Sequence, residues 1–344
     1  MYSLSLHTAS GFRLQPLPAV TARFCVWLRL NAVVLRRYAK IKGVLRPSFT
    51  GIVTALVTPF REDEHIDFDA WQRIIDVQIA AGVDGLLATG GQGEFFSLSL
   101  EERVVAVRFC RQYVAGRIPV YANVGCPSTR HTVHLAQHAA GDGVECLVVI
   151  TPYYVRPSAD ELVEHYIEVC RAVSIPVLAY NIPERTGVDL TPAMVRRLAG
   201  ACENFAGLKD SSGNLDRIPE LVDIGRDRPF AVFIGRDHMI LPALELGSMG
   251  AMTACANVAP RLFVDLYRAF RAGDRTEAAR LQALADPVRQ AFSLSTFPSV
   301  IKEALRLIGL PAGPCRRPVG PMPADARQKL AEVLDQIHAY QPID

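Results

Sequence analysis

The sequence predicts an α/β fold, with eight strand–helix units closed into a barrel and followed by a helical extension. Three observations predict it. From residue 51 to residue 272, short apolar, often β-branched runs alternate with longer segments of helical period, eight of each. The short runs are apolar at nearly every position, as parallel strands are when helices cover the sheet. The alternation then stops, and residues 274–344 carry helical patterns only. Eight units are the count of a (β/α)8 TIM barrel. An open doubly wound sheet is the alternative, but eight regular units favour closure.

The predicted strands are Gly51–Val57, Gly85–Thr89, Val120–Val124, Cys146–Ile150, Val177–Tyr180, Phe205–Lys209, Ala231–Ile234 and Gly250–Thr253. The predicted helices between and after them are Phe68–Ala81, Leu100–Ala115, Thr129–Ala140, Ala159–Ala172, Pro192–Ala201, Leu215–Ile224, His238–Leu246 and Pro260–Ala272. Several open on a start signal. Asp67 or Asp69 marks the first, Ser99 with Glu102 three residues on makes a capping box, and Thr191-Pro192 starts another. The extension reads as helices Thr276–Ser293, Pro298–Leu307 and Ala324–His338, with a Pro/Gly-rich link over 311–323. The domain reading is an N-terminal extension over 1–49, a barrel over 50–273 and a helical extension over 274–344.

Half of the 344 residues are hydrophobic, enough for one large domain. The 37 basic and 35 acidic residues nearly balance, which argues against a nucleic-acid partner, since phosphate binding needs a concentrated basic face. The eight cysteines are scattered, with no CxxC pair to suggest zinc or redox chemistry. No apolar run approaches the roughly 18 residues that span a bilayer. The first acidic residue is Glu62, and the chain before residue 50 carries eight basic residues, from Arg13 to Arg46. The segment reads as a disordered extension or a start assigned too far upstream, with a short amphipathic helix possible over Phe24–Tyr38. An Arg-rich, acid-poor leader is also the pattern of a mitochondrial transit peptide. The expected location is the cytoplasm, or the mitochondrial matrix if the leader is a transit peptide.

In a TIM barrel the site lies at the C-terminal ends of the strands. Lys209 ends the sixth strand and Tyr180 the fifth. An amine that attacks a ketone must be uncharged, and an apolar strand end favours that form. Lys209 is therefore the candidate nucleophile and Tyr180 the candidate proton carrier for imine chemistry. The bland readings are a snorkelling lysine and a hydrogen-bonded core tyrosine. The turn Gly90-Gly91-Gln92-Gly93-Glu94 after the second strand offers backbone N–H groups to a carboxylate. Arg185, after a proline turn, offers a bidentate contact to a second one. Gly235 follows the seventh strand and Met252 lies in the eighth; both join the substrate-binding candidates. His131, His134 and His138 share a helical face, but read as a solvated outer surface and not as a metal site. There is no P-loop and no Rossmann fingerprint.

These residues, in this order, resemble the dihydrodipicolinate synthase / N-acetylneuraminate lyase family. The matching pieces are Gly51 to Phe60, Gly90 to Glu94, Thr151-Pro152-Tyr153-Tyr154, Tyr180 to Gly187 and Gly207-Leu208-Lys209-Asp210. The resemblance runs from about residue 50 to the C-terminus. It implies a TIM barrel and a tetramer built as a dimer of dimers. It implies that Lys209 forms a Schiff base with a 2-oxo acid, typically pyruvate, with no metal or other cofactor. Tyr180 is then the acid/base, and Gly91 and Gln92 hold the carboxylate. Tyr154 belongs to a tyrosine relay completed by an aromatic from across the dimer interface. Arg185 grips the second substrate.

One departure bears on the substrate. The synthases carry two threonines where this chain has Gly91 and Gln92, and the first hydroxyl links the relay tyrosines. The run Gly91 to Leu98 looks more like members that act on keto-deoxy sugar acids, while Arg185-Thr186-Gly187 points back to the synthases. The leading expectation is a class I pyruvate-dependent lyase, an aldolase or dehydratase of a 2-oxo-3-deoxy sugar acid or related 4-hydroxy-2-oxo acid. The alternatives are 4-hydroxy-tetrahydrodipicolinate synthase and, in another class, a non-catalytic 2-oxo acid binder.

Overall fold

A computed structural model describes residues 49–340. The readings of the basic leader and of Phe24–Tyr38 lie outside the described residues. Eight parallel strands pair in sequence order, and the last closes on the first. They are β1 Gly51–Ala55, β2 Gly85–Ala88, β3 Val120–Asn123, β4 Cys146–Ile150, β5 Val177–Asn181, β6 Phe205–Asp210, β7 Ala231–Ile234 and β8 Gly250–Thr253. The intervening helices are α1 Phe68–Ala80, α2 Leu100–Val114, α3 Thr129–Gly141, α4 Ala159–Arg171, the single turn α5 Pro183–Thr186, α6 Pro192–Ala201, α7 Ile218–Asp223, α8 Ile240–Glu245 and α9 Pro260–Ala272. The extension consists of α10 Arg275–Gln290, α11 Ser299–Leu307 and α12 Ala324–Asp335. The barrel is closed, as the eightfold alternation predicts.

The helix starts follow the caps. The Asp67 carboxylate accepts from Ala70 N at 3.0 Å, and Ser99 and Ser158 each form a full capping box. Thr191 caps α6, with Pro192 at its first position. Two predicted helices are broken at their starts. Leu215–Arg217 is a 3₁₀ turn before α7, because the Asn214 carboxamide takes the Asp216 N–H in a local turn. Asp237–Met239 is likewise a 3₁₀ turn before α8.

The core has two layers. Ile52, Leu86, Val149, Ala179, Leu208 and Val232 face outward into the helices, while Val53, Leu87, Val148, Leu178, Tyr180 and Phe233 fill the barrel. Strand β6 departs from simple alternation. Phe205 pairs Val177, but the next strand pair is Leu178 with Gly207, so Ala206 is an extra residue. That bulge reverses the alternation: Phe205 and Leu208 both face the helices, three residues apart. Gly207 is required there, since a Cβ would overlap the Ala231 carbonyl oxygen of β7.

Candidate active site

The parity change in β6 decides where Lys209 points. Four residues beyond outward-facing Phe205, an unbulged strand would direct it at the helices. Instead it faces the barrel axis, in register with Tyr180 on one side and Phe233 on the other. Its Nζ lies 4.1 Å from the centroid of the Tyr180 ring, and the residue is 4 % exposed. The next residues along, Asn181 and Asp210, face the opposite way and hold the two strand ends together. Asn181 Nδ2 donates to Asp210 Oδ1 at 3.1 Å and to Asp189 Oδ1 at 2.9 Å, while Leu190 N donates to Asn181 Oδ1. Ser212 adds its N–H and hydroxyl to the same Asp210 carboxylate. The candidate pair Lys209 and Tyr180 is therefore set by a buried polar lock one residue further along each strand.

The turn after β2 is fixed from three sides. Thr89 bonds reciprocally with Asn123 on β3, its hydroxyl to the Asn123 carbonyl and its carbonyl to the Asn123 amide. Thr58 Oγ1 donates to the Gly93 carbonyl at 2.8 Å. Glu94, in the left-handed region at φ 53°, turns its carboxylate inward to Lys302 Nζ at 2.6 Å. Both side chains of that ion pair are buried. Arg316 N donates to the other Glu94 oxygen, and Lys302 also donates to the Pro314 carbonyl at 2.7 Å. Burial lowers the Lys302 pKa although Glu94 opposes it, and burial pushes the adjacent Cys315 thiol up to about 12. Among the described residues, the N–H groups of Gly91 and Gln92 donate to no protein acceptor, and the buried Gln92 Oε1 accepts nothing. Unpaired amides above the lysine suit a bound carboxylate.

Gly91, Gln92, Tyr180, Arg185, Lys209, Gly235 and Met252 all line one cavity of about 390 Å³ at the C-terminal mouth of the barrel. Tyr154 does not line it. The residue is 96 % exposed and its backbone sits at φ 75°, while its neighbour Tyr153 lines the cavity and packs edge-on against Phe95. The motif Thr151–Tyr154 presents two adjacent tyrosines, and sequence alone does not say which turns inward.

The cavity also contains residues that the sequence reading missed. Ser211, two residues past Lys209, is buried, and its hydroxyl has no partner among the described residues. The i, i+2 spacing from Lys209 was the available signal. Arg236 pairs with Glu184 and donates from Nε to the Ser211 carbonyl at 2.9 Å. Arg289 and Phe297 reach the mouth from the helical extension, which the sequence reading assigned no part in the site. The three histidines of α3 are exposed on its outer face, with the His134 and His138 rings 4.6 Å apart. Among the described residues no group of three or more His, Cys, Asp or Glu side chains is placed to hold a metal ion, and no helix is long and apolar enough to cross a membrane.

A mouth of this make-up, on a barrel with this extension, matches a family model described as the dihydrodipicolinate synthetase family over residues 48–337. The chain belongs to that family. Curated relatives agree. The chain is 37% identical over 289 residues to a 4-hydroxy-tetrahydrodipicolinate synthase of Methanothrix thermoacetophila, covering 84% of this chain and 97% of the relative. It is also 37% identical to the protein so named in Archaeoglobus fulgidus, covering 84% of this chain and 98% of the relative. Among solved structures, the dihydrodipicolinate synthase of Aquifex aeolicus superposes with a TM-score of 0.82 at 34% identity, over 85% of this chain and 99% of that one. YagE, a prophage protein of the same family from E. coli K12, solved with pyruvate, gives a TM-score of 0.82 at 36% identity over 84% and 99%. The chain is thus a Schiff-base lyase of the dihydrodipicolinate synthetase family, which sets aside the reading as a non-catalytic binder.

Proposed function

We propose that this family member uses Lys209 to form an imine with a 2-oxo acid and cleaves, condenses or dehydrates a 2-oxo-3-deoxy sugar acid or a related 4-hydroxy-2-oxo acid. The observation that carries the reading is the inward-facing, in-register pair Tyr180 and Lys209, with Nζ 4.1 Å from the ring centroid. The Lys209 amine adds to the C2 carbonyl. Loss of water then gives a protonated imine, and Tyr180 carries the protons. The iminium is an electron sink. In the aldol direction Tyr180 takes the proton of the C4 hydroxyl and the C3–C4 bond breaks, its electrons forming an enamine. Protonation at C3 and hydrolysis release pyruvate and restore the amine. The amides of Gly91 and Gln92 hold the C1 carboxylate throughout, which fixes the reacting carbon over Lys209.

The substrate class rests on what surrounds the imine. Gly91 carries no hydroxyl for Tyr180, and a Cβ there would come within 3.4 Å only of the Phe297 ring tip. The free Gln92 Oε1 and Ser211 Oγ offer donors and acceptors to a hydroxylated chain. A second reading, 4-hydroxy-tetrahydrodipicolinate synthase, has its own support in the names of the relatives at 37% identity and in Arg185-Thr186-Gly187. A kinetic panel separates them: pyruvate with aspartate semialdehyde against several keto-deoxy acids, for the natural protein and for Gly91→Thr. The space at Gly91 admits the larger residue, so the variant should fold. The natural protein is expected to favour a keto-deoxy acid, and the variant to gain synthase turnover by about 10-fold or more, within the range of general acid–base effects. A natural protein with its highest kcat/KM for the synthase reaction would reverse the substrate assignment and leave the imine mechanism standing.

The same reading gives Tyr154 a task outside its own subunit. An exposed aromatic in a left-handed conformation is costly, by about 1–3 kcal/mol, and persists where surroundings or function require it. We place Tyr154 and the exposed Val155 beside it at the contact with a second copy, in a tetramer built from dimers. Light scattering should give a mass above the monomer at micromolar concentration, and Tyr154→Ser should weaken turnover more than pyruvate imine formation. A monomer with full activity would end this assignment.

A further inference from the structure

Past Arg185 the chamber opens into an outer cavity of about 510 Å³, walled largely by α10, α11 and the segment between them. Arg185, Arg289, Gln92, Phe292 and Phe297 line both spaces. The two arginines are held alike. Arg185 Cζ lies 4.0 Å from the Phe297 ring centroid, and Arg289 Cζ lies 4.5 Å from that of Phe292. A guanidinium resting on an aromatic ring keeps its N–H donors, which lie in its own plane, available to a planar partner.

Those donors are not taken up by hydrogen bonds. Among the described residues neither guanidinium donates a hydrogen bond to the protein. The third arginine on the rim, Arg236, is in contrast committed to Glu184 and to the Ser211 carbonyl. One carboxylate oxygen, Asp237 Oδ2, comes within 4.0 Å of Arg289 Nε, an ion-pair contact too long for a hydrogen bond, while Oδ1 accepts from the Thr253 hydroxyl and from Cys255 N. Asp286, also on the outer cavity, accepts from Gln282. Arg289 thus keeps an ion-pair contact with Asp237 but, like Arg185, makes no hydrogen bond, so the donor edges of both guanidiniums remain open. An unpaired oxygen, Gln92 Oε1, lies buried between the two spaces.

We propose that Arg289 is a specificity-determining residue: together with Arg185 it receives a second carboxylate at the far end of the substrate, so that the molecule taken is a diacid. The inference rests on the Schiff-base reading and sharpens its substrate class to a 2-oxo-3-deoxy sugar acid that ends in carboxylate instead of hydroxymethyl. A planar monoanion matches the flat donor edge of each stacked guanidinium. A phosphate dianion is the poorer match, because Glu184, Asp237 and Asp286 on the same rim weaken the positive field.

The test uses the full chain and three substrates of equal carbon number, with hydroxymethyl, carboxylate or phosphorylated ends. The natural protein should prefer the carboxylate end in kcat/KM by about 10-fold or more, the scale of charge-assisted hydrogen bonds. Arg289→Gln should lower kcat/KM for the diacid by about 10–100-fold, mainly through KM, and the hydroxymethyl substrate far less. Arg289→Lys should restore only part, since it keeps the charge but not the fork. Borohydride trapping of pyruvate on Arg289→Gln should match the natural protein, which separates a failure here from a failure of the imine mechanism. An equal fall for all three substrates would make Arg289 a neutraliser of Asp237 and overturn the proposal. So would a natural protein indifferent to the end group, or one that prefers phosphate.

Discussion

Lys209→Ala is expected to abolish the borohydride-trapped pyruvate adduct and to lower kcat by roughly 10³–10⁶-fold, the scale on which enzymes lose activity with the group that bonds to substrate. Lys209 is the amine at the barrel mouth, 4 % exposed and stacked against Tyr180. Among the described residues the other buried lysine, Lys302, is bound to Glu94 behind the turn and cannot replace it. Gly235→Ala approaches the same atom from the opposite wall. A Cβ at Gly235 would overlap Ser211 Oγ and come within 2.9 Å of Lys209 Cε, so the amine must move. Displacement by an ångström can cost about 10²-fold, and the trapping rate should fall on that scale while the fold is kept. Intact-protein mass and peptide mapping read both variants. An adduct surviving in Lys209→Ala, or mapping to another residue, would remove the nucleophile assigned here.

Lys302→Met should destabilise the protein by about 3–5 kcal/mol, because breaking a buried ion pair leaves a charge in the interior with no counter-charge. Glu94 would keep only the Arg316 amide and the Cys315 thiol as partners. The loss should also reach the chemistry. Glu94 ends the turn whose amides are proposed to hold the carboxylate, so KM for pyruvate should rise more than kcat falls. Replacing both partners, Lys302→Met with Glu94→Gln, should recover much of the stability, since a matched neutral pair has no stranded charge. Denaturant unfolding at fixed protein concentration measures the difference. A single variant within about 1 kcal/mol of the natural protein would mean that Glu94 is solvated or partnered otherwise.

Much of the mouth was legible before the fold was known. The rule that barrel sites sit at strand ends selected Gly91, Gln92, Tyr180, Arg185, Lys209, Gly235 and Met252, and all seven line one cavity. It worked because each lies on or just after its own strand, so local pattern and position in the unit were sufficient. Arg289, Phe297 and Lys302 were not legible for the opposite reason. Arg289 lies 52 residues from Asp237, Phe297 lies 112 from Arg185 and Lys302 lies 208 from Glu94, in a helical extension whose periodicity reports burial and not which neighbour is touched.

The sequence by itself determined the eightfold alternation, the helix caps and the family, because these depend on hydrophobic period, on side chains within three residues of a backbone N–H, and on short motifs. Tertiary structure alone decided which way the key side chains point. The alternation of β6 would send Lys209 outward with Phe205, and the bulge at Ala206–Gly207, made possible by close packing against Ala231, turns it to the axis. Likewise only the folded chain separates Tyr153, against Phe95 in the cavity, from Tyr154, turned out at φ 75°. A strand's side-chain period is two, so one extra residue reverses every later direction, and the partner that fixes it lies on another strand.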